Sequence, residues 1–78
     1  NGWIMKENNF VLDIFYDEGF KLSFFNWNSN EYSKEVLTIL QNLNFEFKNS
    51  RYELKTMIKN KNDFYVFLVS ICKMFEEL

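Results

Sequence analysis

Apolar and polar side chains alternate along residues 10–17 and again along residues 20–27, with the two-residue period of β-strands. The apolar residues that share one face of this pattern are Phe10, Leu12, Ile14, Tyr16, Phe20, Leu22 and Phe24. The connection at residues 17–19 ends in Gly19, a residue type that adopts a positive φ without strain. The pattern therefore predicts a β-hairpin with a three-residue or bulged turn.

The segment 29–42 has the spacing of an amphipathic helix, because apolar residues recur every three or four positions. These residues are Tyr32, Val36, Ile39, Leu40 and Leu43. Asn28 is followed three residues later by Glu31, which fits a capping box and predicts where the helix begins. Asn42 or Asn44 can end the helix, since Asn tolerates the left-handed conformation of a C-terminal cap.

Two further elements are predicted after this helix. Residues 45–48 and 52–58 alternate on either side of a turn at residues 49–51, which predicts a second, weaker hairpin. Asn60 or Asn62 is then a candidate N-cap for a last helix, with Asp63 in its first turn.

The last apolar segment, residues 64–75, has features of both a strand and a helix. Its aromatic and β-branched residues favour a buried strand, and Glu76 and Glu77 would oppose the dipole of a helix. Its length without a turn signal favours a helix, which is the structure that we predict. Such a helix is apolar nearly all round, so that it needs the sheet on one side and suits a partner chain on the other.

Together these elements predict one compact α+β domain that spans residues 1–78. Residues 3–6 add a first strand, followed by a polar turn at residues 7–9. The expected fold is a small antiparallel sheet of about four or five strands with two helices, in the order (β)ββ-α-ββ-α.

The chain holds more apolar side chains than its own core requires. Hydrophobic residues number 37, or 47% of the chain, whereas a domain of this size needs about 20–25 in its core. On the second face of the first hairpin, Val11, Phe15, Phe25 and Trp27 lie among polar residues, which is typical of an interface with an aromatic centre and a polar rim. In the alternative arrangement, the two helices cover both faces of the sheet.

Charge is divided along the chain, although the net charge is only −2. The acidic residues of the stretch 7–18 are Glu7, Asp13, Asp17 and Glu18. The basic residues of the stretch 48–61, which are candidate polyanion contacts, are Lys48, Arg51, Lys55, Lys59 and Lys61. On a strand, however, Glu53 would lie between two of these cations, and the overall acidic balance is unlike that of a dedicated nucleic-acid domain.

The composition also excludes several kinds of chemistry. With no His and a single Cys, the chain has no His-based acid–base catalyst, no His or multi-Cys metal site and no internal disulfide. Asp13 and Asp17 are paired carboxylates of the kind that act as acid and base or hold a hard cation. Asp is nevertheless common beside turns for local hydrogen-bonding reasons. We therefore predict no catalytic residue, no metal site, no cofactor and no enzymatic activity.

Bulk features bear on compartment and origin. Cys72 lies in an apolar run, which predicts a buried thiol in a reducing compartment. No signal peptide is visible and no apolar run approaches the ~20 residues that span a bilayer, so that we expect a cytoplasmic protein without membrane contact. Abundant Asn, Lys and Phe without any Ala indicate AT-rich coding, typical of a low-GC bacterium, its phage or a mobile element.

The expected function is that of a non-enzymatic protein-binding module, an inhibitor of the immunity, antitoxin or phage anti-defence type that acts by occlusion. The residues expected to dock on a basic nuclease or toxin are Asp13, Asp17 and Glu18, and those expected to supply contact area are Phe15, Phe25 and Trp27. Two alternatives remain open. One is a homo-oligomer formed through the last helix or a sheet edge, and the other is a nucleic-acid-associated regulator that uses residues 48–61.

Overall fold

The computed structural model of the chain describes residues 9–29 and 31–77, and for residues 2–5 the strand that their backbone forms. The elements of this part are β1 (Gly2–Met5), β2 (Phe10–Tyr16), β3 (Phe20–Asn26), α1 (Lys34–Asn42), β4 (Phe45–Lys48), β5 (Arg51–Leu54) and α2 (Lys61–Glu76). This order confirms the predicted α+β fold class and includes the first strand. Of the polar turn predicted at residues 7–9, only Asn9 falls within the described residues.

The strands form one antiparallel sheet in the order β1-β2-β3-β5-β4. Its longest ladder joins β2 to β3 over seven residue pairs, with Leu12 opposite Phe24. β3 pairs with β5 through two residues only, and Phe20 then exchanges two backbone hydrogen bonds with Ile58, at 2.7 and 3.0 Å. The chain after β5 therefore returns along the start of β3 before α2 begins.

Both helices pack on the same face of this sheet, the face that carries the even-numbered residues of β2 and β3. The buried cluster between them is formed by Phe10, Leu12, Leu22, Phe24, Val36, Leu40, Leu43, Phe45, Phe64, Ile71 and Phe75. Ring contacts tie α2 to the central strands, since Phe64 stacks on Phe20 with centroids 4.0 Å apart and Phe75 stacks on Phe24 at 5.1 Å. The alternative in which the helices cover both sheet faces is therefore wrong.

Side-chain hydrogen bonds to the backbone mark where each of the two described helices begins. Ser33 caps α1 by accepting a hydrogen bond from the backbone N–H of Val36 at 3.2 Å, so that the predicted start of the helix at the Asn28 capping box is wrong. Asn44 ends α1 with a φ of 66°, as expected for an Asn cap. Asn60 caps α2, because its side chain accepts from the backbone N–H groups of residues 62 and 63.

Residues 64–75 are helical throughout, as predicted. Phe64, Ile71 and Phe75 lie about two turns and one turn apart and are all buried, so that one stripe of α2 faces the sheet. Aromatic and β-branched residues elsewhere on α2 remain exposed, among them Tyr65, Val66 and Val69. Burial of the stripe thus overrides the strand preference of these residue types.

The turn between β2 and β3 uses its glycine for space rather than for backbone conformation. Glu18 is the residue with a positive φ, 61°, whereas Gly19 has none, so that the predicted role of this glycine is wrong. A Cβ at Gly19 would lie 2.5 Å from the Sδ atom of Met57, on the returning chain. The absence of a side chain lets Met57 pack against the turn.

We expect Gly19→Ala to lower the free energy of unfolding by about 1–2 kcal/mol, because the new methyl group overpacks against Met57. In a Met57→Ala background the same change is expected to be neutral or slightly stabilising, since the backbone at residue 19 suits an L-residue. Urea unfolding of the four proteins checks this double-mutant cycle. Equal losses in both backgrounds would show that steric conflict with Met57 is not the cause.

Candidate protein-binding surface

Neither of the two described helices, α1 and α2, packs on the second face of the sheet, which we call the open face. It presents the odd-numbered residues of β2 and β3 and their neighbours on β5 and β4. These residues are Val11, Asp13, Phe15, Lys21, Ser23, Phe25, Glu46, Lys48, Arg51 and Glu53. Val11 and Ser23 are buried although no helix covers them, so that neighbouring side chains on this face shield them from solvent.

Arg51 is the central side chain of the open face. Its guanidinium carbon lies 4.1 Å from the centroid of the Phe25 ring, and its Nη1 donates to the Oδ2 of Asp13 at 3.2 Å. The register explains this reach. Arg51 precedes Tyr52, the pairing partner of Phe24, so that it lies beside Phe25 on β3, and Ser23 pairs with Asp13 on the next strand. Because Ser23 is small, the arginine can cross β3 and connect β5 to β2.

Two aromatic side chains lie exposed at opposite ends of the same hairpin. Phe15, near the β2–β3 turn, is 54% exposed, and the ammonium group of Lys21 lies 5.8 Å from the centroid of its ring. Trp27, just beyond β3, is 58% exposed, and its backbone N–H donates to the carbonyl of Asn9 at 3.1 Å. The open face therefore has an ordered arginine–phenylalanine pair with the exposed ring of Phe15 toward the turn, and Trp27 is exposed just beyond the other end of the hairpin.

The acidic residues of the hairpin are largely paired within the chain. Asp13 bonds to Arg51, and Asp17 forms an exposed ion pair with Lys21 at 3.5 Å. Glu18 lies exposed at the tip of the turn. Because internal cations offset two of the three carboxylates, the aromatic area is a stronger feature of this surface than its negative charge.

The structure does not bring the predicted basic segment together. Lys48 and Arg51 flank the β4–β5 turn, whereas Lys55 follows β5 at the other end of that hairpin. Lys59 and Lys61 lie further along, at the start of α2. The segment is therefore divided between two ends of the sheet, and Arg51 is occupied by its contacts with Asp13 and Phe25.

Sequence reasoning did not anticipate the exposure of two aromatic residues. Tyr16, which the alternating pattern assigns to the inward face of the first hairpin, is 65% exposed, and Phe47 on β4 is 62% exposed. By alternation Phe47 shares the helix side of the sheet with Phe45, which is buried under α1. Phe47 instead contacts the edge of the Tyr52 ring, with centroids 5.1 Å apart. The edge position of β4, which the sequence pattern does not reveal, contributes to the exposure of this ring.

Cys72 does not have the surroundings of a nucleophile. Partial burial raises the pKa of its thiol, and the negative charge of Glu76, one turn away, raises the pKa further. The thiolate is the reactive form of cysteine, so that both causes reduce its reactivity at neutral pH.

Two adjoining clefts, of about 620 and 440 Å³, lie between the returning chain after β5 and α2. Thr56, Ile58 and Phe67 line both clefts. Of the candidate binding residues named from the sequence, Lys59 lines the first cleft and Lys55 lines the second. Within residues 9–29 and 31–77, neither helix is long and apolar enough to span a bilayer.

Comparison of the chain with protein-family models, with curated proteins and with solved structures finds no match.

We expect Asp13→Asn and Arg51→Gln to show a coupling energy of about 0.5–1 kcal/mol in a double-mutant cycle, because the ion pair is half-buried and supported by the Phe25 ring. The exposed pair of Asp17 and Lys21 is the matched control, and its coupling should be smaller. Urea unfolding of both cycles measures the difference. Purely additive effects at Asp13 and Arg51 would contradict the bridging role of the arginine.

Proposed function

We propose that this chain is a non-enzymatic protein-binding module that inhibits another protein by covering part of its surface with the open face. The supporting observation is the exposed Phe15 ring and the Arg51–Phe25 pair on the sheet face that neither α1 nor α2 covers, with Trp27 exposed just beyond the end of β3. Aromatic residues and arginine dominate the binding energy of protein interfaces.

The ordering of this surface favours tight binding. Arg51 is already held by Asp13 and Phe25, so that less side-chain entropy is lost when a partner covers it. Phe15 and Trp27 lie on or next to paired strands, and a sheet positions side chains more rigidly than a loop does. The partner therefore meets a preformed surface.

The apolar and charged groups of the open face indicate what kind of partner surface would bind to it. Apolar rings offer contact area, and charges of both signs surround them, so that the complementary surface is apolar with mixed charges. Glu18 at the turn tip supports a basic partner such as a nuclease or toxin, although the internal pairing of Asp13 and Asp17 limits long-range attraction. The proposal thus retains an immunity, antitoxin or anti-defence role and assigns most of the affinity to the aromatic residues. The single cysteine of the protein, Cys72, is a free thiol, which is compatible with the reducing environment of the cytoplasm.

Capture experiments with matched surface variants test the proposal. The wild-type chain, a Phe15→Ser/Trp27→Ser variant and a Tyr65→Ser/Val66→Ser control on α2 are immobilised and exposed to lysates of low-GC bacteria with and without phage. The two altered pairs are similarly exposed, at 54% and 58% against 55% and 66%. A stoichiometric protein should bind to the wild type and the control, while the open-face variant should lose at least ~100-fold in affinity.

Circular dichroism of each variant first establishes that the sheet is intact. Retention of the captured protein by the folded open-face variant would refute the role of this face. Failure of the wild-type chain to capture any stoichiometric protein would refute the proposed function itself.

A further inference from the structure

The β4–β5 hairpin places like charges directly opposite each other. Glu46 pairs in register with Glu53, and Lys48 pairs with Arg51, with all four residues on the open face. Like charges across a strand pair are unfavourable. The hairpin therefore carries an acidic row beside a basic row, at the edge of the sheet.

Contacts within the chain offset the like-charge repulsion only at the two residues on β5, the inner strand of the hairpin. Arg51 is paired with Asp13, and Glu53 accepts a long hydrogen bond from Asn49 at 3.5 Å. Glu46 and Lys48, on the outer strand, are exposed and form no ion pair with any described residue. The outermost charges of the sheet are thus available to a neighbouring molecule.

The backbone of β4 is arranged to accept such a neighbour. Asn49 and Ser50 form a two-residue turn in which both residues have positive φ, 55° and 66°. In hairpins of this kind the residues flanking the turn exchange their hydrogen bonds, so that Lys48 and Glu46 direct their backbone groups toward β5. The N–H and C=O groups of Phe47 consequently point outward from the edge.

We propose that β4 is a self-association edge, which pairs antiparallel with β4 of a second copy about a two-fold axis at Phe47. This register places Glu46 opposite Lys48 of the second copy, and Lys48 opposite its Glu46. A two-fold axis at residue 46 would instead place the Glu46 residues of the two copies opposite each other. An axis at residue 48 would do the same for the two Lys48 residues. Charge complementarity therefore selects a second copy of this chain and a single register.

Pairing about Phe47 satisfies several exposed groups together. The acidic row of each hairpin continues into the basic row of the other. The outward backbone N–H and C=O groups of Phe47 form hydrogen bonds with those of Phe47 in the second copy. The two Phe47 rings, each 62% exposed, come together on the helix side. The two sheets become continuous with both open faces on one side, which doubles the surface available to a partner. Since β4 has four residues, the dimer is weak and depends on concentration.

Charge-exchange variants test this pairing by sedimentation equilibrium at millimolar protein concentration and low salt. The wild-type chain should dimerise, and Glu46→Lys or Lys48→Glu alone should raise the dimer dissociation constant at least ~10-fold, because each creates two like-charge contacts across the axis. The Glu46→Lys/Lys48→Glu double variant exchanges the charges and should restore association to within about threefold of wild type. An equimolar mixture of the two single variants should also associate.

Unfolding measurements separate loss of association from loss of fold. Each single variant removes one like-charge pair within its own hairpin, so that the monomer should be as stable as wild type or more stable. The Tyr65→Ser/Val66→Ser variant on α2 should dimerise normally. A monomeric wild type, a double variant that fails to associate, or loss of the dimer in the α2 variant would overturn the proposal. These outcomes concern the β4 edge alone and leave the test of the open face independent.

Discussion

The placement of both helices on one face of the sheet is the constraint on which the other features of this protein depend. The β2–β3 hairpin carries large apolar groups on both faces, and α1 and α2 together cover only the side of Leu12 and Phe24. Ring contacts of Phe64 and Phe75 hold α2 on that side. The second apolar face is therefore left to be shielded by its own side chains or by another molecule.

Arg51 provides part of that shielding from within the chain. Its long side chain covers the Phe25 ring and reaches Asp13 across the small Ser23. A charged side chain, rather than a helix, therefore shields the centre of this face from solvent. Phe15 and Trp27 remain exposed. The same residue thus stabilises the fold and shapes the surface that we propose for binding.

The aromatic residues of the open face and the β4 edge belong to one sheet but to different strands. An axis perpendicular to the sheet keeps the faces of two paired copies on the same side, so that association through β4 would present two binding surfaces together. Weak self-association would then increase the apparent affinity for a partner with repeated or extended surfaces. The like-charge pairs of the hairpin reduce the stability of the single chain slightly, and the proposed pairing would offset this loss.

Alternation and helical spacing were enough to predict the α+β order and, except for Tyr16, the inward face of the first hairpin. Asn44 at the end of α1 and Asn60 at the start of α2 were each one of two predicted cap candidates. These features could be predicted because they are properties of local backbone geometry. Only the tertiary structure decided that both helices share one face and that Phe47 lies uncovered at an edge. It likewise decided that Gly19 makes room for Met57 and that Arg51 bonds to Asp13. Each of these depends on which distant segments become neighbours, and strand order follows from packing between segments rather than from the periodicity within any one of them.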